Sequence, residues 1–132
     1  MALENHLEVI FTNCGIRCTR GAISENRSKP DFLFPGVAEY HDADFDPLHL
    51  TVLGVKSTCK DRWRQVLAEA DRIPEKHLLT LEVAISESQT TEMQAKQLQL
   101  VLPRSLHETY TPAQRAWLLN VTTFIELVRA RE

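Results

Sequence analysis

Residues 48–55 read Leu-His-Leu-Thr-Val-Leu-Gly-Val, an almost wholly apolar run that Lys56 brings to an end. Such a run suits a central strand covered on both faces, and strands of that kind belong mostly to sheets flanked by helices. Two further runs repeat the pattern, His77–Ile85 and Leu98–Leu102, the second closed by Pro103. A shorter one, Phe32-Leu33-Phe34, starts after Pro30-Asp31 and stops before Pro35-Gly36, as a buried strand between turns would.

Between these runs the apolar residues recur at helical spacing. Leu3, Leu7, Ile10 and Phe11 predict an amphipathic helix, with Gly15 where a helix C-terminal glycine would sit. Residues 59–73 predict a second helix with Trp63, Val66, Leu67 and Ala70 on one face, ended by Pro74. Residues 86–98 are helical in composition. Thr111-Pro112 has the form of an N-cap followed by proline at the first helical position. It opens a helix in which Trp117, Val121, Phe124, Ile125 and Val128 share a face. The stretch after Gly15, through the polar residues 24–29, predicts strand and turn, whereas residues 37–47 show no period and predict a loop. Strands alternating with helices predict an α/β domain with a mixed central sheet flanked by helices.

With 132 residues, 43% hydrophobic and 25% charged, one domain with one core is expected. No stretch approaches the roughly 18 apolar residues of a membrane span. The first twenty residues lack a basic-then-apolar signal layout, so a cytoplasmic protein is expected. Cys14, Cys18 and Cys59 are an odd number, read as free thiols in a reducing compartment. The Cys14/Cys18 spacing suits zinc, but no second pair of Cys or His ligands follows at zinc-finger distance. Small buried hydrophobes near a helix end is the plainer reading.

The formal charge of −3 argues against a protein that grips DNA with its whole surface. Local clusters differ from the total. Lys56, Lys60, Arg62, Arg64, Arg72 and Lys76 outnumber the acids among them, and Arg17, Arg20, Arg27 and Lys29 face Glu25 alone. Acid collects instead at Glu39, Asp42, Asp44 and Asp46, a segment that could face away from DNA. Solvated surface is the competing explanation for each cluster.

Two acids and a lysine are the minimum for phosphodiester hydrolysis with Mg²⁺, which takes one or two carboxylates plus substrate phosphate. Asp31 follows Pro30 at a strand start and Lys56 stands at the end of the next long strand, the layout of the PD-(D/E)xK nuclease motif. The position two before the lysine, where the second acid commonly lies, is Gly54. Glu69, thirteen residues after Lys56 on the predicted helix, is the candidate replacement. Arg62 and Glu69 are seven residues apart, about two α-helical turns, so one helix face could carry both. A structural reading stays open, with Asp31 capping a turn, Lys56 reaching to solvent and Glu69 a solvated helix residue.

The strings 25–36 (ENRSKPDFLFPG), 53–67 (LGVKSTCKDRWRQVL) and 76–93 (KHLLTLEVAISESQTTEM) resemble the C-terminal catalytic domain of EcoRII-type restriction endonucleases, in the same order and at similar intervals. The resemblance covers nearly the whole chain. It implies a restriction-endonuclease-like fold and a type II site-specific deoxyribonuclease that cuts double-stranded DNA with Mg²⁺ at a short palindromic CC…GG-type site. It implies Asp31 and Glu69 as metal-binding acids, Lys56 as the catalytic lysine and Tyr40 as an active-region tyrosine, against a packing role for Tyr40. Glu4 on the opening helix is a candidate third acid. Lys60, Asp61 and Arg62 match a base-reading triplet, consistent with basic side chains on guanine O6 and N7 and an acid on cytosine N4. The competing account of the triplet is a solvated helix start. Gln89, Glu92 and Met93 lie in a stretch assigned to DNA contact.

Palindromic cutting implies a homodimer. Leu118, Leu119 and Leu127 are expected either to serve its interface or to close the core. Family members carry a further N-terminal regulatory domain. The chain is therefore expected to be a minimal standalone enzyme or the tail of a longer gene. A catalytically inactive DNA-binding module and a degenerate remnant are the alternative readings.

Overall fold

A computed structural model describes residues 2–21, 29–60 and 62–132. At its centre is a five-stranded mixed sheet in sequence order, formed by β1 (Thr19–Arg20), β2 (Phe32–Phe34), β3 (Thr51–Lys56), β4 (Lys76–Thr80) and β5 (Leu98–Val101). The β1–β2 and β2–β3 pairs are antiparallel, whereas the β3–β4 and β4–β5 pairs are parallel. The parallel half is where the apolar runs lie, because the two crossovers cover one of its faces and the first and last helices the other.

Alternation along the strands sorts the side chains. Phe32, Phe34, Leu53, Val55, Leu79 and Val101 face α1 (Ala2–Asn13) and α5 (Val121–Arg131), meeting Leu7, Phe11, Phe124 and Val128. Phe11 sits in an aromatic cluster, with ring centroids 5.3 Å from both Phe32 and Phe34 in edge-on geometry. On the opposite face Leu33 and Val52 pack against Tyr40, Ala70 and Ile73. Leu78, Leu98 and Leu100 pack against Trp63, Val66, Met93 and Tyr110.

Five local expectations are corrected. The segment read as a loop contains α2 (Val37–His41), followed by a 3₁₀ turn over Pro47–His49. That turn takes Leu48 out of the expected strand and leaves it 74% exposed. β4 ends at Thr80, so the apolar run continues past the sheet, with Leu81 and Val83 exposed and Ala84 in the left-handed region at φ +53°. The expected helix over 59–73 is a 3₁₀ segment, Arg62–Ala68. The expected C-terminal helix is two, α4 (Pro112–Arg115) and α5, each opened by a capping box, Thr111 with Gln114 and Asn120 with Thr123. Between them Leu119 bridges to Val101, its N–H donating to Leu100 O at 3.1 Å.

Leu118 is buried and Leu119 packs against the core, so both close it rather than offering a free surface. The helix over 86–98 is α3 (Glu87–Ala95), with Ser86 accepting the Gln89 N–H as N-cap. Of the stretch after Gly15 expected as strand and turn, Thr19–Arg20 is β1, and residues 22–28 lie outside the described residues. Cys14 and Cys18 are half-buried thiols against the α1 side of the core, and burial together with Glu8 raises the Cys18 pKa.

Candidate active site

The antiparallel register pairs Phe32 with Leu53, which sets Asp31 opposite Gly54 and on the face that carries Leu33. The Asp31 carboxylate Oδ2 accepts the Val55 N–H at 2.6 Å, and its carbonyl accepts the Gly21 N–H at 3.1 Å. Lys56 is the last residue of β3, two beyond Gly54 and therefore on the same face, diagonal to Asp31. Glu69 comes to this face from the 3₁₀ segment that covers it.

The segment's geometry explains Glu69. With three residues per turn, positions 63, 66 and 69 fall in one row. Trp63 and Val66 are buried in that row, and Glu69, just past the last turn, continues it inward. Arg62 lies a third of a turn away and is exposed. The expectation that Arg62 and Glu69 share one α-helical face is thus corrected by the change of helical period.

Gly54 makes this arrangement possible. A Cβ at that position would lie 3.0 Å from Val66 Cγ2 and 3.3 Å from Cγ1. The space that a strand-borne second acid would need is filled by the 3₁₀ segment, and that segment brings an acid of its own. The segment is bracketed by two non-glycine residues in the left-handed region, Lys60 at φ +40° and Ala70 at φ +52°. Such conformations cost on the order of 1–3 kcal/mol each and persist only where surrounding structure holds them.

Electrostatics ties the three groups together. Burial raises the Asp31 pKa; the Val55 N–H, Lys56 and Arg20 oppose that rise, and Glu4 adds to it. Glu69 is pushed up to about 7, first by burial and then by the Asp31 charge, with Lys56 and Lys76 pulling the other way. The repulsion between the carboxylates falls on Glu69, whose Oε1 is buried with no hydrogen-bond partner among the described residues. A buried carboxylate oxygen in that condition is costly unless a cation meets it. Two carboxylates, one of them with an orphaned oxygen, are a donor set that fits Mg²⁺, and among the described residues no cluster of three or more His, Cys, Asp or Glu forms a ready-made cage. Glu4 is held by Arg20 at 3.5 Å, on the α1 side of Asp31.

Tyr40 meets the chain just past Glu69. It is buried against Leu33, Leu50 and Ile73, and its hydroxyl accepts the N–H of Arg72, three residues past Glu69. The Arg72 guanidinium lies over the Tyr40 ring, donates to Tyr40 O and reaches Phe45 O at 2.7 Å, so the pair anchors the turn that carries Glu69.

Lys60 and Arg62 are exposed at the start of the 3₁₀ segment, and Arg62 donates to Thr58 O at 2.9 Å. Asp61 lies outside the described residues. Gln89 accepts the Trp63 indole N–H at 3.2 Å and Glu92 pairs with Arg64 at 2.7 Å, so both brace the 3₁₀ segment from α3. Met93, expected at DNA, is wholly buried in the core. Sequence reasoning missed Glu82, whose carboxylate binds the loop before Arg62. Its signal, a lone acid in an apolar run just past a strand, is too common to single out.

Residues 1–125 match the family model for the EcoRII C-terminal domain. The chain belongs to the EcoRII C-terminal family. It is 48% identical over 125 residues to the type II restriction enzyme EcoRII of Escherichia coli, covering 94% of this chain and 31% of that protein. It thus spans about a third of the length of that relative. Two solved structures share the fold over 97% of this chain and 43% of theirs, each with a TM-score of 0.80. They are metal-depleted Ecl18kI with uncleaved, modified DNA at 22% identity, and the same enzyme with uncleaved DNA at 21%. The chain therefore has a restriction-endonuclease-like mixed sheet flanked by helices; its apolar runs predicted the flanked mixed sheet, and the resemblance its restriction-endonuclease-like form. Among the described residues no helix is long and apolar enough to cross a membrane.

Proposed function

We propose that this chain is the catalytic domain of a type II site-specific deoxyribonuclease that hydrolyses DNA phosphodiesters at a short palindromic CC…GG-type site with Mg²⁺. The observation that carries the reading is the meeting of Asp31, Lys56 and Glu69 on one sheet face, with a buried Glu69 oxygen lacking a partner. Membership of the EcoRII C-terminal family supports the same substrate class.

In this reading Asp31 and Glu69 hold the cation. When bound, Mg²⁺ supplies Lewis-acid stabilisation of the phosphate and acidifies a water. Lys56 places its ammonium against the phosphate charge that develops in the transition state. Asp31 is oriented by the Val55 N–H, and Glu69 by the turn that Tyr40 and Arg72 anchor. Glu4 stands near enough to Asp31 to serve as a third acid. Lys60, Asp61 and Arg62 read the C and G bases, a role that the exposure of Lys60 and Arg62 supports. Each half of a palindrome is served by one copy of the chain, so the acting form is a homodimer in the cytoplasm. In the same reading residues 1–132 form one EcoRII C-terminal-like nuclease domain.

Purified protein is incubated with DNA holding CC…GG sites in Mg²⁺ or in EDTA, beside Lys56→Ala. Site-specific cutting in Mg²⁺ alone is expected, with Lys56→Ala slower by about 10²-fold or more. Intact DNA in Mg²⁺ alongside sequence-selective binding would replace the nuclease reading with that of a binding module.

A further inference from the structure

Glu82 lies two residues past β4 and outside the catalytic trio, yet it holds the loop that leads from β3 into the 3₁₀ segment. One oxygen, Oε1, accepts the N–H groups of both Cys59 and Lys60, each at 3.1 Å. Successive N–H groups converging on one anion form a concavity of the kind that binds phosphate elsewhere. Here the anion belongs to the protein. Lys60 adopts φ +40°, a region uncommon for a residue with a side chain, so neighbouring structure must hold the loop in this form.

Glu82 is itself fixed on both sides. Its N–H donates to Thr80 Oγ1 at 3.2 Å, and its carbonyl accepts the hydroxyl of buried Tyr110 at 2.6 Å. Leu81 N–H donates to Ser57 O at 3.2 Å, tying the same loop to the end of β4. Cys59 is buried beneath the loop, whereas Lys60 and Arg62 project from it into solvent. The core thus reaches the two exposed basic residues through one carboxylate.

We infer that Glu82 is a positioning residue for sequence recognition: it sets the loop backbone from which Lys60 and Arg62 reach base edges, without touching DNA itself. The inference rests on the reading of Lys60, Asp61 and Arg62 as the base-reading triplet. Bidentate base contacts discriminate only when the side chain starts from a fixed backbone, so a loosened loop loses selectivity before it loses charge.

The test compares binding in EDTA of a CC…GG duplex and of the same duplex with one frame base pair exchanged. In the unaltered chain the first is preferred. In Glu82→Ala the ratio of the two affinities falls about tenfold or more, on the scale of one base contact. Glu82→Gln, which keeps an acceptor oxygen, retains more of the preference. This ratio does not depend on the fraction of active protein, so a variant that is merely less stable leaves it unchanged.

A wild-type ratio in Glu82→Ala overturns the inference. Should that variant not fold, hydrogen exchange in the unaltered protein decides, with slow exchange expected at the Cys59 and Lys60 amides and fast exchange overturning it. An unaltered chain with no preference between duplexes defeats the base-reading triplet itself, and the role of Glu82 falls with it.

Discussion

Glu69 carries its charge at a cost, which a cation at the proposed site would offset. A carboxyl whose folded pKa is raised to about 7 favours the folded state when protonated. That contribution is full below the ordinary glutamate range and is lost as pH rises through about 7. Without metal, the unfolding free energy of the protein should decline across that window, and Glu69→Gln should flatten the decline in denaturant titrations at successive pH values. Mg²⁺ requires the ionised form, so its affinity should climb over the same window with release of protons, measurable by calorimetry in two buffers of different ionisation enthalpy.

His77 works in the opposite sense. It is fully buried beside Phe124, with neither ring nitrogen hydrogen-bonded among the described residues, and its pKa is lowered to about 3, first by burial and then by Arg131. The stability it permits is present above the ordinary histidine range and is lost as pH falls towards about 3. His77→Leu should resist acid unfolding better than the parent. At neutral pH it should gain about 1 kcal/mol from removal of an unsatisfied polar group.

At the scale of elements, the 3₁₀ segment is the piece that decides the site, and Gly54 is its seat. Gly54→Ala forces a methyl against Val66, so a destabilisation of about 1–3 kcal/mol is expected, with displacement of Glu69 lowering cutting more than the stability loss explains. Val66→Ala in the same chain should relieve part of the loss, and a double-mutant cycle in denaturant would register the coupling. Additive effects would mean that the two side chains do not compete for that space. The last helix has a similar local determinant. Asn120 caps α5 by accepting the Thr123 N–H at 2.9 Å, and Asn120→Ala should cost about 1 kcal/mol in thermal or denaturant unfolding.

These elements also mark how far the sequence could be read. The buried strands were legible because period and length distinguish an apolar run from a polar connection. The break before α5 is written in the chain as the Asn120/Thr123 box but is masked by an apolar stripe that carries through it at helical spacing. The 3₁₀ geometry was not legible. Trp63, Val66, Leu67 and Ala70 satisfy an α-helical face as well as Trp63 and Val66 satisfy a row of three. The steric fit of Val66 over Gly54, between residues twelve apart in the chain, goes with the second.

At the scale of the whole molecule, the site lies where the antiparallel and parallel halves of the sheet join at β3. Asp31 arrives from one half, Lys56 ends the shared strand, and Glu69 comes from the crossover that only the parallel half requires. For the proposed activity, a formal charge of −3 would leave DNA affinity to local basic residues rather than to the general surface. Affinity for a site duplex should then fall with salt at a log–log slope of about −0.9 per phosphate neutralised. A slope near zero would remove duplex binding from the proposed activity.

The order of apolar runs, the chemistry-bearing residue types at positions 31, 56 and 69, and the absence of an acid at 54 are properties of the chain itself, because burial and functional groups are carried residue by residue. Which of those groups meet is not, since it depends on the register of β2 against β3 and on the packing of a 3₁₀ turn into the gap above a glycine. Contacts between segments that distant are set by the shape of the assembled core, and local sequence pattern contains no record of that shape.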